Sequence, residues 1–452
     1  MALNKNSLLA GLSDEASRKS RTDLCEIIDF VLENIDPINI IGKAVELRTS
    51  KLFIKNDLVC DISDFKNIFV LGAGKAAYKM ALAMENLLGY KVSKGYVNVP
   101  DLPEKNALRK IQINRASHPI PDQGGLNGSQ EIMKLAKEAG ADDLIICLIS
   151  GGGSSLLPLP VVPLEEFIEL NSLLLKSPAT INEINAVRKH LSQISGGNLA
   201  VAAYPARLLS LIISDVVNDP LDVIASGPTV PDLSRFQEAI EVLKKYNLWT
   251  KVSENIRKYL DDGLNGINPE TPKSDHPVFK GNRVNNYILA NHRTVLDLAA
   301  DKAEELGYRV EKLGSAVQGL ARKVAQDLID KAKISSGEKT IYLATGETTV
   351  DVKGTGQGGR NQELVLSGLN KLENNMTLVS FATDGVDGFC PEAVAGAMAD
   401  KETLDKAREL NLNPEIFLAN NDSYNFFKNT GGQLISGPSG TNLGDLIMLV
   451  LN

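Results

Sequence analysis

The chain has 452 residues, 43% of them hydrophobic and 23% charged, with a net charge of −8 from 48 basic and 56 acidic side chains. That length predicts two domains, each able to bury a core, and the acidic balance excludes a broad electrostatic footprint for nucleic acid. Cys25, Cys60, Cys147 and Cys390 stand apart without CxxC spacing, which excludes a zinc ribbon or disulfide framework, and no long uncharged apolar run signals a membrane span.

In chain order, Leu24, Ile27, Ile28, Val31 and Ile35 recur at helical spacing and predict an amphipathic helix that covers something later in the chain. Strands are predicted at Asn67–Leu71, Tyr96–Val99, Leu144–Ile149 and Leu208–Ile213, with a helix through Met80 and Leu87 and another around Asn185–Ala203. This alternation predicts βαβ units and a Rossmann-like, mostly parallel sheet buried on both faces. A segment rich in Asn, Gly, Pro and Asp then reads as a linker. The expected division is an N-terminal α/β domain over 1–264, a linker over 265–285 and a smaller α/β domain with a mixed sheet over 286–452. In the last of these, strands are predicted at Asn286–Ala290, Thr340–Ala344, Glu347–Val352, Met376–Thr383 and Leu446–Leu451. Helices are predicted up to Leu306, near Val317–Ala332 and after Arg360.

Ligands of parallel sheets gather at the carboxyl ends of strands. There the sequence places Gly72-Ala-Gly74-Lys75, a glycine turn opening a helix, and Ser150-Gly151-Gly152-Gly153-Ser154-Ser155, hydroxyls around a triple glycine. Both read as phosphate or carboxylate loops, with Lys75 adding a cation. Neither is a Walker A motif, and the acid that would bind a ribose is not clearly placed after the Gly72 turn. Arg188, Lys189 and His190 crowd one helical turn, Arg188 being the expected anion contact. Asp215, after the strand Leu208–Ile213, suits Mg²⁺ or a hydroxyl proton. In the second domain Gly354-Thr-Gly-Gln leads to Arg360 and Asn361, a forked donor in a glycine-rich setting. Asp384 and Asp387 offer further carboxylates, and Asn420–Ser423 and Gly437–Asn442 further donors. Two anion loops in different halves predict a kinase of a small acid, with its active site in a cleft between the domains.

These runs, together with Val187-Arg-Lys-His-Leu-Ser192, Ala225-Ser-Gly-Pro-Thr229, Gly346-Glu-Thr-Thr349, Gly358–Glu363 and Ala419–Ser423, closely resemble the glycerate 2-kinase family whose C-terminal part is the MOFRL domain. The resemblance covers nearly the whole chain. It implies ATP-dependent, Mg²⁺-assisted phosphorylation of D-glycerate to 2-phosphoglycerate. The charge balance predicts no nucleic-acid partner, a start without an apolar h-region and the lack of a long apolar run predict a cytoplasmic protein with no membrane partner, and homo-oligomerisation is left open. Lys75 and Arg360 match the family's cleft residues. Asp215 and Asp384 are the expected proton acceptors, Asp215 the metal ligand, and Arg188, Glu347 and Asn361 the acid-binding residues. The sequence departs from the family at Ser195, where lysine is usual, and in the run after Asp387. Family members have also carried the label hydroxypyruvate reductase, so a nicotinamide-dependent reductase is the rival expectation.

Overall fold

The computed structural model of the chain describes residues 3–334 and 339–452. It divides into two compact units, Ile40–Leu289 and a composite of Met1–Asn39 with Ala290–Asn452. Both are α/β, as expected, but the boundaries differ. Residues 265–285 are part of the first unit, since Thr271 donates to the buried Asp232 at 3.0 Å and the strand Val284–Ala290 completes that unit's sheet. Composition marked this segment as a loop and could not show that its side chains are anchored.

The first unit's six-stranded sheet runs in the order Ile111–Arg115, Val92–Val99, Asn67–Ala73, Asp143–Ile149, Arg207–Ile213, Val284–Ala290. The first five are parallel. Asp143–Ile149 is buried at every position, as a strand covered on both faces must be. Phe69, Leu71, Ile145 and Cys147 pack with Ile132, Met133 and Leu199 from the covering helices. A separate apolar cluster joins the helices Leu164–Leu175, Ile181–His190, Phe236–Lys245 and Glu254–Leu264 through Phe167, Leu174, Val187, Phe236 and Leu243. A three-stranded antiparallel sheet, Val45–Asp61, precedes the main one. The single helix expected over 185–203 is two helices, Ile181–His190 and Asn198–Ala203. Gly196 and Gly197, at φ of 59° and 87°, turn the chain between them in a conformation that only glycine adopts readily.

The second unit's sheet is mixed: Arg309–Leu320 pairs in parallel with Thr340–Thr349, and Asp445–Leu451, Met376–Ala382, Gly396–Asp400 and Gln433–Leu434 follow antiparallel. Thr340–Thr349 is one strand where two were expected, and the helix expected from Val317 begins at Ala321 because 309–320 is strand. Tyr342, Leu378, Ile447 and Leu449 pack against the helices Ala321–Ile334 and Arg360–Gly368. The helices Glu15–Asn34 and His292–Glu305 pack on each other and on the sheet. The stripe Leu24, Ile27, Ile28, Val31 and Ile35 is fully buried.

Arg21 fixes the N-terminal helix: Nε and Nη2 each donate to the Asp400 carboxylate at 2.7 Å, and Nη1 donates to the Leu8 carbonyl at 2.9 Å. Both partners of this pair are buried, and Asp400 also caps the helix Lys401–Glu409. Arg21→Met should therefore destabilise the chain by about 3–5 kcal/mol, the cost of stranding a buried carboxylate. Chemical denaturation of this variant checks it, with loss below 1 kcal/mol contradicting the docking.

Candidate active site

Three adjacent parallel strands, Asn67–Ala73, Asp143–Ile149 and Arg207–Ile213, bring Lys75, the Ser150–Ser155 turn and Asp215 to one edge of the sheet. The first two ends interlock. Gly74 N donates to Asn98 O at 3.2 Å, Lys75 N to Gly151 O at 2.9 Å, and Ala76 N to Ser150 Oγ at 3.0 Å. A Cβ on Gly72 would meet Leu148 O at 2.1 Å, and one on Gly74 would meet Ser150 Oγ at 2.0 Å. The glycines of the first turn thus admit the neighbouring strand, and its amides are spent inside the protein.

The second turn differs. Ser150 N donates to Ala73 O and Gly153 N to Ser150 O, both at 3.2 Å. The amides of Gly151, Gly152 and Ser154 donate to no acceptor among the described residues. Gly152 sits at φ 82°, and a Cβ on Gly151 would meet Asp215 Oδ2 at 2.2 Å, so the Asp215 carboxylate lies against the turn. Unspent amides on such a turn are suited to anionic oxygens.

The three cations of the helix Ile181–His190 part company. Lys189, 3% exposed, bonds Asp222 and Asp232 at 3.3 Å each. His190 Nε2 lies 2.7 Å from Glu270, whose carboxyl is drawn down to about 2: burial pushes it up, but the His190 contact and the Thr271 amide outweigh that. Arg188 has no carboxylate within ion-pairing distance among the described residues; its Nε donates to Asn171 Oδ1 at 2.5 Å. Burial pulls its pKa down to about 10, which still leaves it charged at neutral pH. It lines a cavity of about 250 Å³ with Ser154, Ser155, Ser192, Ser195 and Ser226, and no Asp or Glu lines that cavity. Ser154 and Ser226 share a 2.9 Å hydrogen bond, and Ser226 donates on to Asn185 at 3.3 Å. A partly buried guanidinium with no carboxylate beside it among the described residues, set next to hydroxyls, fits an anion.

In the second unit the expected site residues are engaged with one another. Arg360 grips Asp445 through Nε at 2.6 Å and Nη2 at 3.1 Å, and Glu347 through Nη1 at 2.7 Å. Burial disfavours its charge, but Asp445 more than restores it and holds its pKa above the ordinary value. Burial lifts the Asp445 carboxyl to about 6 against the pull of Arg360 and Asn361, so the pair is ionised at neutral pH. Asn361 donates both amide hydrogens, to Asp387 at 3.2 Å and Asp445 at 3.0 Å, and accepts from Ser380 at 2.5 Å. Asp387 caps the helix Arg360–Gly368 through the amides of Asn361 and Gln362. Asp384 Oδ1 accepts from Val386 N at 3.0 Å. The glycine-rich run is clamped: Asn421 Oδ1 accepts from Lys353 and Gly354, Asn420 Oδ1 from Thr355 and Asp422 Oδ1 from Gln357. A Cβ on Gly354 would meet Asn420 O at 2.2 Å, and one on Gly359 would meet Asp387 Oδ1 at 2.3 Å. These glycines admit the protein's own segments, and the fork of Arg360 meets the protein's own carboxylates.

Comparison with known proteins agrees with the motifs. The family model described as "Domain of unknown function (DUF4147)" matches residues 23–261, and the "MOFRL family" model matches 340–445. The D-glycerate 2-kinase of Thermotoga maritima is 37% identical over 421 residues, covering 91% of this chain and 96% of that protein. The chain belongs to the MOFRL glycerate 2-kinase family. The glycerate 2-kinase of Pyrococcus horikoshii is 34% identical over 436 residues, covering 94% of this chain and 96% of its own. A crystal structure of the Thermotoga maritima glycerate kinase superposes with a TM-score of 0.83 at 34% identity, covering 96% of this chain and all of that one. No helix among the described residues is long and apolar enough to cross a membrane.

Sequence reasoning about this family member missed Asp445, Asp222, Asp232 and Glu270, the carboxylates that decide which cations are neutralised. Asp445 stands just before the terminal strand expected over Leu446–Leu451, but that strand begins at Asp445, and its register opposite Gly346 puts it beside Arg360. The pair makes a prediction: Arg360→Ala should lower stability by about 3 kcal/mol, the low end for breaking a buried pair because Arg360 is partly exposed. Thermal and denaturant unfolding check this, and an Arg360→Ala protein as stable as the parent contradicts it.

Proposed function

We propose that the protein transfers the γ-phosphoryl group of ATP to the C2 hydroxyl of D-glycerate, giving 2-phosphoglycerate and ADP. The observation that carries this reading is an uncompensated guanidinium, Arg188, in a cavity that shares Ser154 and Ser155 with a turn of acceptor-free amides. One cation suits the acid's carboxylate, and the amides suit phosphate oxygens. Similarity to D-glycerate 2-kinases over nearly the whole chain supports the substrate pair.

Phosphoryl transfer asks chiefly for positioning and charge neutralisation. Arg188 holds the glycerate carboxylate through its two Nη groups, which fixes where the C2 hydroxyl points. The amides of Gly151, Gly152 and Ser154, with the Lys75 ammonium, hold the transferring group and stabilise charge on its oxygens as the bond to ADP breaks. The C2 oxygen forms the new bond to phosphorus, and its proton passes to Asp215. Mg²⁺ supplies further neutralisation of phosphate charge when bound. No group of three or more His, Cys, Asp or Glu among the described residues is arranged to hold a metal. Asp215 alone at this turn fits Mg²⁺ nonetheless, because that ion keeps water and substrate phosphate oxygens as most of its ligands. Arg360, with Glu347, holds Asp445 and the start of its own helix in place. Ser195, where the family usually has lysine, lines the Arg188 cavity, so Arg188 supplies a cation there. Nothing favours the reductase alternative, and the Gly72 turn that suggested it has spent its amides on Asn98, Gly151 and Ser150.

Incubation with ATP, Mg²⁺ and D-glycerate, followed by ³¹P NMR, should give 2-phosphoglycerate. Lys75→Ala should lower kcat by roughly 10²–10³, the usual loss for one charge-stabilising donor. Arg188→Ala should raise the KM for D-glycerate by about tenfold or more. Silence in this assay, with NADH oxidised in the presence of hydroxypyruvate, contradicts the proposal.

A further inference from the structure

The cavity around Arg188 is built for more than glycerate. Besides its serines, Arg188, Lys176 and Asn171, its lining is apolar and includes Ile120, Pro121, Phe167, Ile168 and Leu175, from the 119–121 loop and the helix Leu164–Leu175. Glycerate carries a polar group on each of its three carbons and offers nothing to such a wall. Pressing its C3 hydroxyl against isoleucine and phenylalanine costs the hydrogen bonds that hydroxyl makes in water. Several nearby hydroxyls are already engaged, Ser155 with Pro119 O at 2.8 Å and Ser154 with Ser226 at 2.9 Å. The wall instead gains from apolar area removed from water. Lys176 adds a second cation to the lining, and neither Asp nor Glu opposes it.

We infer that this cavity accepts 2-hydroxy acids bearing an apolar side chain in place of the hydroxymethyl group of glycerate, and that such acids are alternative phosphoryl acceptors. This rests on the reading of Arg188 as the carboxylate anchor. The head of the acid is the same as in glycerate, so the chemistry is unchanged. The 2-hydroxyl oxygen forms the bond to the γ-phosphorus, the bond from that phosphorus to ADP breaks, and the hydroxyl proton passes to Asp215. The side chain lies against Phe167, Ile168 and Leu175. An amide of the same acid lacks the charge that Arg188 binds and is excluded.

The probe is D-2-hydroxyisocaproate, with its neutral amide as control. Titration calorimetry should show the acid binding within about tenfold of the affinity for D-glycerate and no binding of the amide. ³¹P NMR with ATP and Mg²⁺ should show its phosphate ester, and Arg188→Ala should weaken both acids. Leu175→Asp, at a position already exposed to solvent, should weaken D-2-hydroxyisocaproate relative to D-glycerate by at least about tenfold. The inference is overturned if D-2-hydroxyisocaproate fails to bind, if it binds without forming an ester, or if Leu175→Asp leaves the ratio unchanged. If D-glycerate is phosphorylated and Arg188→Ala raises its KM while the apolar acid does not bind, this inference fails and the kinase reading stands. If D-glycerate is not phosphorylated, the kinase reading and the acceptor role fail together, and calorimetry still decides whether the cavity holds the apolar acid.

Discussion

The organisation of the unit 40–289 hangs on the interlock between two neighbouring strand ends. Ser150 reaches across to the amide of Ala76, Gly151 offers its carbonyl to Lys75, and Ala73 offers its own to Ser150. Only glycine at 72 and 74 allows this approach, since any Cβ would enter the atoms of Leu148 or Ser150. The consequence is an asymmetry. The first turn is exhausted in building the junction, and the second is left with amides that face no acceptor among the described residues. A small junction between strands thereby determines which of two similar glycine turns can meet an anion.

The same logic of spent and unspent groups sorts the charges. Lys189 and His190 are adjacent to Arg188, yet each is matched to a carboxylate brought by a distant segment, and both are structural. Among the described residues Arg188 is given the Asn171 side-chain carbonyl oxygen and no carboxylate, a partner that orients the guanidinium without neutralising it. In the other unit Arg360 is matched twice over, by Asp445 and Glu347. A partly buried guanidinium with no carboxylate beside it among the described residues gains a strong charge-assisted partner when an anion arrives.

The fold class was legible because period and composition carry it: continuous apolar runs such as Leu144–Ile149 and the helical stripe Leu24–Ile35 admit few alternatives. The unit boundary was not, because a polar, proline-rich segment looks the same whether it hangs free or is pinned through Thr271 to Asp232. The candidate site was half legible. Glycine runs at strand ends pointed to the end of the sheet where the candidate site is built, but sequence cannot distinguish a glycine that admits a ligand from one that admits a neighbouring backbone, and Gly354 and Gly359 belong to the second kind. Likewise Arg188, Lys189 and His190 are equivalent as letters. Their difference lies in carboxylates at positions 222, 232 and 270, which only the folded chain brings near.

The claim on which the account stands is that the uncompensated charge of Arg188 and the open amides of the Ser150–Ser155 turn together receive the two substrates' anionic groups. A crystal structure of the protein with D-glycerate and a non-hydrolysable ATP analogue tests it most directly. The account predicts the glycerate carboxylate within hydrogen-bonding distance of the Arg188 Nη groups, and phosphate oxygens on the amides of Gly151, Gly152 and Ser154. Both ligands bound with those groups left untouched would contradict it.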